Sequence, residues 1–192
     1  MDRTRLGRTH TDGYGFATAL RQDLGHNLAG TPVILLGAGG AARSAAVECL
    51  GQRCASLSIG NRTRENLDAF LDLLRPLARG IPLRGFDPAT PPADLPAGAV
   101  VVNATSAGLH ADDPAPIDLQ RLPRPTSVTD MIYNPPETPL LRAAAKLGIP
   151  HANGLSMLVH QGAKSLEIWS SVPAGGTAPV MQAAARAALN LK

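Results

Sequence analysis

The sequence predicts an α/β protein, doubly wound, with a mainly parallel sheet of about six strands and helices on both faces. Three observations predict it. Hydrophobic periodicity switches repeatedly between short apolar runs and stripes spaced at three and four residues, as alternating βα units require. A length of 192 residues with 44% hydrophobic residues suits one domain with a buried core and leaves no room for a second of ordinary size. The polar clusters NATSAG and YNPPETP each follow an apolar run, and in open parallel sheets the crevice beyond the carboxyl ends of the strands is where ligands bind.

In chain order, a helix is expected from Thr11 to about Leu24, then a loop through HNLAG. A first strand, Pro32 to Leu36, runs into a glycine turn and an Ala-rich helix, Gly40 to Leu50. A second strand covers Ala55 to Ile59, and a helix follows from Arg64 with Leu67, Phe70, Leu71 and Leu74 on one face, ending near Pro76. A short third strand is Ile81 to Gly85; FDPATPPADLPAG, with four prolines, reads as a connector without regular structure. Strands four and five are Ala99 to Val102 and Ser127 to Ile132. Helices over Thr138 to Leu147, Leu155 to Trp169 and Thr177 to Leu189 complete the chain, with a short strand at Ile149 to Ala152. Within the second of these helices Leu155, Leu158, Val159, Gly162, Ala163, Leu166 and Trp169 make one stripe expected to face the core, with Gln161 off it.

Composition narrows the function classes. The formal charge is +3, but the arginines are scattered singly and aromatics are 3% of the chain, which argues against a nucleic-acid surface. No apolar stretch approaches the roughly 18 residues of a membrane span. The start, MDRTRLGRTHTDG, lacks the apolar centre of a secretory signal, so the expected compartment is the cytoplasm. Cys49 and Cys54 have neither metal-ligand spacing nor histidine partners and read as reduced core thiols; no metal site is expected. Lysine is scarce, at Lys146, Lys164 and Lys192 only.

In LLGAGGAARSA, Gly37, Gly39 and Ala42 fit G-x-G-x-x-G/A, after a predicted strand and opening a predicted helix, which makes the domain Rossmann-like. The first glycine permits the tight turn, the second lets a pyrophosphate approach the backbone, and the third small residue lets helix pack on strand. Gly37, Ala38, Gly39, Gly40 and Ala41 therefore present the phosphate-binding turn, with the helix N-terminus offering N–H groups and partial positive charge. A glycine-rich turn without a ligand is the plainer alternative. Strand two ends in GNRTR, where an NAD site would place Asp or Glu against the ribose 2′-hydroxyl. Asn61, Arg62, Thr63 and Arg64 stand there instead, an amide, a hydroxyl and two guanidiniums suited to a 2′-phosphate. The cofactor expected is NADP.

Six blocks, in order, resemble the shikimate dehydrogenases, including their quinate-dehydrogenating members: THTDGYGF (9–16), GAGGAAR (37–43), NRTR (61–64), NATSAG (103–108), DMIYNPPETPLL (130–141) and NGLSMLVHQGAKSLEIW (153–169). The resemblance covers nearly the whole chain but only the C-terminal NADP domain of the family's two-domain protein. It implies an interdomain linker helix in residues 1–30 and the NADP domain in 31–192. The implied reaction is reversible hydride transfer between NADPH and dehydroshikimate, giving shikimate, with a lysine and an aspartate as the catalytic pair. Asp12 matches that aspartate; His10 replaces the asparagine of the family's NTDG block. Asp12, Tyr133 and Gln161 match substrate contacts; Asn103, Thr105, Ser106, Gly154 and Met157 match residues along the nicotinamide half of the cofactor. Bland readings stand beside these: Asp12 as an N-cap, Tyr133 as a half-buried phenol, Gln161 as a solvated amide.

The lysine and the carboxylate-binding serines belong to the absent substrate domain, and none of the three lysines present matches. Reducing a ketone needs hydride to carbon and a proton, or a stabilising cation, at oxygen. An ionised Asp12 supplies neither, so the chain alone is expected to be weak or inactive. Two readings follow: the cofactor half of a shikimate-type dehydrogenase, needing a substrate domain from another chain, or a non-catalytic NADP-binding regulatory or partner subunit. Loss of one cleft wall also points to self-association. Other NADP-linked enzymes of this fold, such as tetrahydrofolate dehydrogenases, remain an alternative.

Overall fold

The computed structural model of the chain describes residues 11–110 and 112–189; the first ten residues of the 1–30 segment, His10 among them, and Lys192 lie outside these. The elements are α1 (Thr11–Leu24), β1 (Pro32–Leu36), α2 (Gly40–Gly51), β2 (Ser56–Gly60), α3 (Arg64–Ala78), β3 (Leu83–Phe86), β4 (Val100–Asn103), a 3₁₀ turn (Leu119–Arg121), β5 (Ser127–Asp130), α4 (Pro139–Lys146), β6 (His151–Ala152), α5 (Leu155–Ser170) and α6 (Ala174–Ala188). The six strands form one sheet in the order β3-β2-β1-β4-β5-β6, every neighbouring pair parallel. This is the doubly wound, Rossmann-like arrangement expected.

Strand side chains alternate between faces, and here both faces are buried, which is why β1 and β4 read as unbroken apolar runs. Val33 and Leu35 of β1, with Val100 and Val102 of β4, face a cluster containing Phe16 and Leu20 of α1, Ala45 and Cys49 of α2, and Leu67, Phe70 and Leu74 of α3. Ile34, Leu36 and Val101 point the other way, onto Leu140, Leu141 and Ala144 of α4, with Leu119 of the 3₁₀ turn. Each fully buried Leu- or Val-sized side chain contributes about 2 kcal/mol, so this two-sided burial is the main stabilising term. Helix α5 crosses α1 closely, with buried Gly15 packed against the backbone of Met157 and Gln161, and α6 packs on α5.

The differences from expectation have physical causes. Strand β5 stops at Asp130, not Ile132, because the Asp130 carboxylate accepts the Ile132 N–H at 3.0 Å and turns the chain out of the ladder. Pro150 has no N–H to donate and joins the ladder only through its carbonyl, which accepts Val128 N at 2.9 Å, so β6 proper begins at His151 and Ile149 lies outside it. Helix α3 runs two residues past Pro76, held by the burial of Leu74 and Ala78, and closes at Arg79 in a left-handed conformation (φ 45°). Helix α6 begins at Ala174, not Thr177: Pro173 supplies the entry conformation and Glu167 Oε2 accepts the Ala174 N–H at 3.3 Å. The α5 stripe faces inward at Leu155, Val159 and Ala163 but fails at Trp169, which is 83% exposed. Periodicity gives the direction of a side chain, and among the described residues none covers Trp169 at the last turn of α5.

Cys49 and Cys54 are buried and unpaired. Burial pushes the Cys54 thiol up to about 11 from an ordinary 9.0, and Cys49 well above 9.0. The thiolate is the reactive form. At pH 8, iodoacetamide should therefore label Cys54 about a hundredfold more slowly than a free thiol, and Cys49 more slowly still, until denaturant is added; rapid labelling of the native protein, followed by mass, would contradict this core placement.

Candidate functional site

The strand order reverses between β1 and β4, and a crevice of about 320 Å³ opens at the carboxyl ends of these strands. Its floor is the glycine turn, Gly37 to Gly39. Gly37 has φ 110°, its N–H donates to the Gly60 carbonyl at 2.8 Å, and a Cβ there would lie 2.9 Å from the Ala104 carbonyl oxygen. Only glycine meets both conditions. Gly39 is the exposed N-cap of α2, without a side-chain cap, and a Cβ there would meet nothing within 4 Å. The space above Gly39 is therefore open to a ligand, and Gly40 and Ala41 follow in an exposed first turn that holds no acidic residue. Uncapped N–H groups at such a terminus favour an anion.

Beyond β2, Asn61 and Arg62 form a side wall. Asn61 Nδ2 donates to the Thr63 carbonyl at 2.8 Å, fixing the turn into α3, whose N-cap is Thr63. Arg64 does not line the crevice: its Nε pairs with Asp68 Oδ2 at 2.8 Å along the exposed face of α3. The two arginines read together from the sequence thus differ, with Arg62 on the crevice and Arg64 engaged beside it. Among the described residues, no Asp or Glu lines the crevice.

The opposite wall is the loop after β4. Buried Asn103 holds it from beneath, its Oδ1 accepting both Thr105 N (3.0 Å) and Thr105 Oγ1 (2.7 Å), and Thr105 and Ser106 line the crevice. The outer wall, Pro88 with Pro114, Ala115 and Pro116, was not legible in the sequence. Those residues sit in proline-rich connectors, and proline clustering was their only signal. Arg121 of the 3₁₀ turn fixes one connector by donating to the Ala89 carbonyl at 2.6 Å. Asp113 fixes the other, accepting Gly108 N (2.9 Å) and His110 N (3.1 Å), bonds that hold its carboxyl below the ordinary range.

The remaining residues do not line this crevice. Gly154, the N-cap of α5, donates to the Ile132 carbonyl at 3.0 Å, and Met157 packs half-buried against the α1–α3 side of the core. Asp12 sits in the first turn of α1, with Ser44 Oγ donating to its Oδ2 at 3.5 Å. Gln161 is half-buried on α5, and Tyr133 is 37% exposed in the loop after β5. His160 Nε2 meets Gln22 Oε1 at 2.8 Å, joining α5 to α1. A larger and more open cleft of about 530 Å³ lies between α4, β6, α5 and α6, but its wall mixes Asp23 and Glu137 with Arg142 and lacks a glycine turn. Among the described residues, no helix is long and apolar enough to cross a membrane, and no three His, Cys, Asp or Glu side chains gather as metal ligands.

The profile of the "Shikimate 5'-dehydrogenase C-terminal domain" matches residues 154–186. A shikimate dehydrogenase (NADP(+)) of Rhodospirillum rubrum is 39% identical over 187 residues, 96% of this chain and 64% of the relative. Its counterpart from Magnetococcus marinus is 37% identical over 161 residues, 84% of this chain and 56% of that one. A crystal structure of a shikimate dehydrogenase in complex with NADP+ superposes with a TM-score of 0.80 at 30% identity, covering 94% of this chain and 62% of that one. The chain spans about 60% of the length of such relatives.

The geometry separates the two turn glycines. Gly37→Ala should destabilise the fold by about 1–3 kcal/mol through its positive φ and the Ala104 contact. Gly39→Ala should cost less than about 1 kcal/mol. Thermal unfolding of the two variants checks this; equal melting temperatures would contradict it.

Proposed function

Because the chain belongs to the shikimate dehydrogenase family, matching its C-terminal portion, we propose that it is the NADP-binding half of a dehydrogenase for a shikimate-like hydroxy acid. The observation that carries this reading is a guanidinium, Arg62, on a crevice that no carboxylate lines among the described residues and whose floor is an open glycine turn at a helix N-terminus. Every part fits a dinucleotide with an additional phosphate. The turn and the first N–H groups of α2 take the pyrophosphate, and Arg62 and Asn61 take the 2′-phosphate, which an Asp or Glu would repel. When bound, the cofactor supplies the hydride.

The chain's own residues do the rest only in part. Thr105, Ser106, Gly154 and Met157 border the nicotinamide half, and Tyr133 and Gln161 present a hydroxyl and an amide to the substrate. Asp12 orients a substrate hydroxyl and its ammonium partner. A forming alkoxide needs a proton or a cation, and the two described lysines are otherwise placed: Lys146 ends α4, and Lys164 pairs with Glu167 at 2.9 Å while capping the Tyr14 ring. Turnover therefore requires a substrate domain beyond these 192 residues. The engagement of Lys164 by Glu167 is what favours the second reading, an NADP-binding subunit without turnover.

NADPH should bind more tightly than NADH, followed by nicotinamide fluorescence. Arg62→Ala should weaken NADPH by about 10- to 100-fold and leave NADH little changed, whereas Arg64→Ala should have a smaller effect. Equal affinity for the two cofactors would overturn the reading. Shikimate-dependent NADP+ reduction by the chain alone should be undetectable and should appear when a substrate domain is added; a rate that survives Asp12→Ala would show the catalytic groups to be misplaced.

A further inference from the structure

Asp130 is fully buried at the end of β5, yet its partners are three neutral donors. Its Oδ1 accepts Asn103 Nδ2 and the Ile132 N–H, each at 3.0 Å, and its Oδ2 accepts Thr138 Oγ1 at 2.7 Å. Each donor belongs to a different segment. Asn103 supports the β4 loop on the crevice and donates its second amide proton to the Ala107 carbonyl at 3.2 Å. Ile132 begins the loop to Tyr133, and its carbonyl accepts from Gly154 at the start of α5. Thr138 is the N-cap of α4, its Oγ1 accepting Leu141 N at 3.3 Å.

We infer that Asp130 is a positioning residue that fastens the β4 loop to the Tyr133 loop and so sets the nicotinamide end of the crevice, without touching the ligand. This rests on the proposed NADP site. The directions of the bonds carry it. Thr138 Oγ1 already accepts from Leu141, so its proton must be donated; Asn103 Oδ1 is taken by Thr105, so only Nδ2 faces Asp130. All three inputs are donors, and only a carboxylate accepts them all. Burial pushes this carboxyl above its ordinary value, and the bonds from Thr138, Ile132 and Asn103 oppose that shift. An asparagine at 130 would turn an N–H against one of the donors, leaving a buried group unpaired.

The sheet order makes the inference testable, because Arg62 lies on the β2 side of β1 and the Asp130 hub on the β4–β5 side. Adenosine 2′,5′-bisphosphate would engage only the first; NADPH would span both. Titrating both ligands calorimetrically, Asp130→Asn should weaken NADPH by about tenfold and leave the bisphosphate within about twofold. Thr138→Val should follow in the same direction, and Thr138→Ser, which keeps the hydroxyl, should restore NADPH binding. This pair decides the matter should Asp130→Asn fail to fold. Equal losses on both ligands, or no loss of NADPH affinity in a folded variant, would overturn the inference alone. A wild-type chain that binds neither ligand would instead remove the NADP site on which it rests.

Discussion

Three backbone hydrogen bonds just beyond the strand ends govern this molecule. Gly37 N donates to Gly60 O, Ala104 N to Leu36 O, and Met131 N to Asn103 O, so the ladders of β2, β1, β4 and β5 continue one residue into the loops. These loops would otherwise be free to splay. Tied in this way, they leave the sheet in register and diverge only after the glycine turn and the Asn103 amide have been fixed. The crevice is thus an extension of the sheet's hydrogen bonding, and its stability derives from the two-sided apolar burial that holds the strands in place.

Charge is distributed with corresponding economy. Among the described residues, the positive contributions lining the crevice are one exposed guanidinium and the α2 N-terminus, with no carboxylate in the wall. Beneath the β4 loop, the buried Asp130 carboxyl accepts from three donors. Buried anions are costly unless every lone pair is used, and here the donors come from segments that need to be brought together.

Much of this was legible in the sequence. Alternation between period-two and period-3.6 patterns located the strands and main helices, because a parallel sheet buries both faces and leaves an unmistakable apolar signal in PVILL and VVVN. The glycine turn was legible because only glycine meets the demands at residue 37. Pairwise choices were not. Whether Arg62 or Arg64 turns to the crevice depends on Asp68 one helical turn away, and the outer wall depends on how Arg121 and Asp113 pin connectors that carry no periodicity. Asp130 sat within a motif noted for its tyrosine, and its hub depends on Asn103 of β4, a partner that no local pattern pairs with it. The end of β5 was missed for the same reason, since the side chain that stops the strand reads as one more strand residue.

The chain's one tryptophan, Trp169, stands in water at the end of α5. Melting the core would move this indole from solvent to solvent, so its emission colour would scarcely change while the sheet came apart. The same ring would shift strongly toward the blue if another surface closed over that end of the helix. Nature has in effect placed the protein's only indole fluorophore where it is blind to folding and sensitive to company.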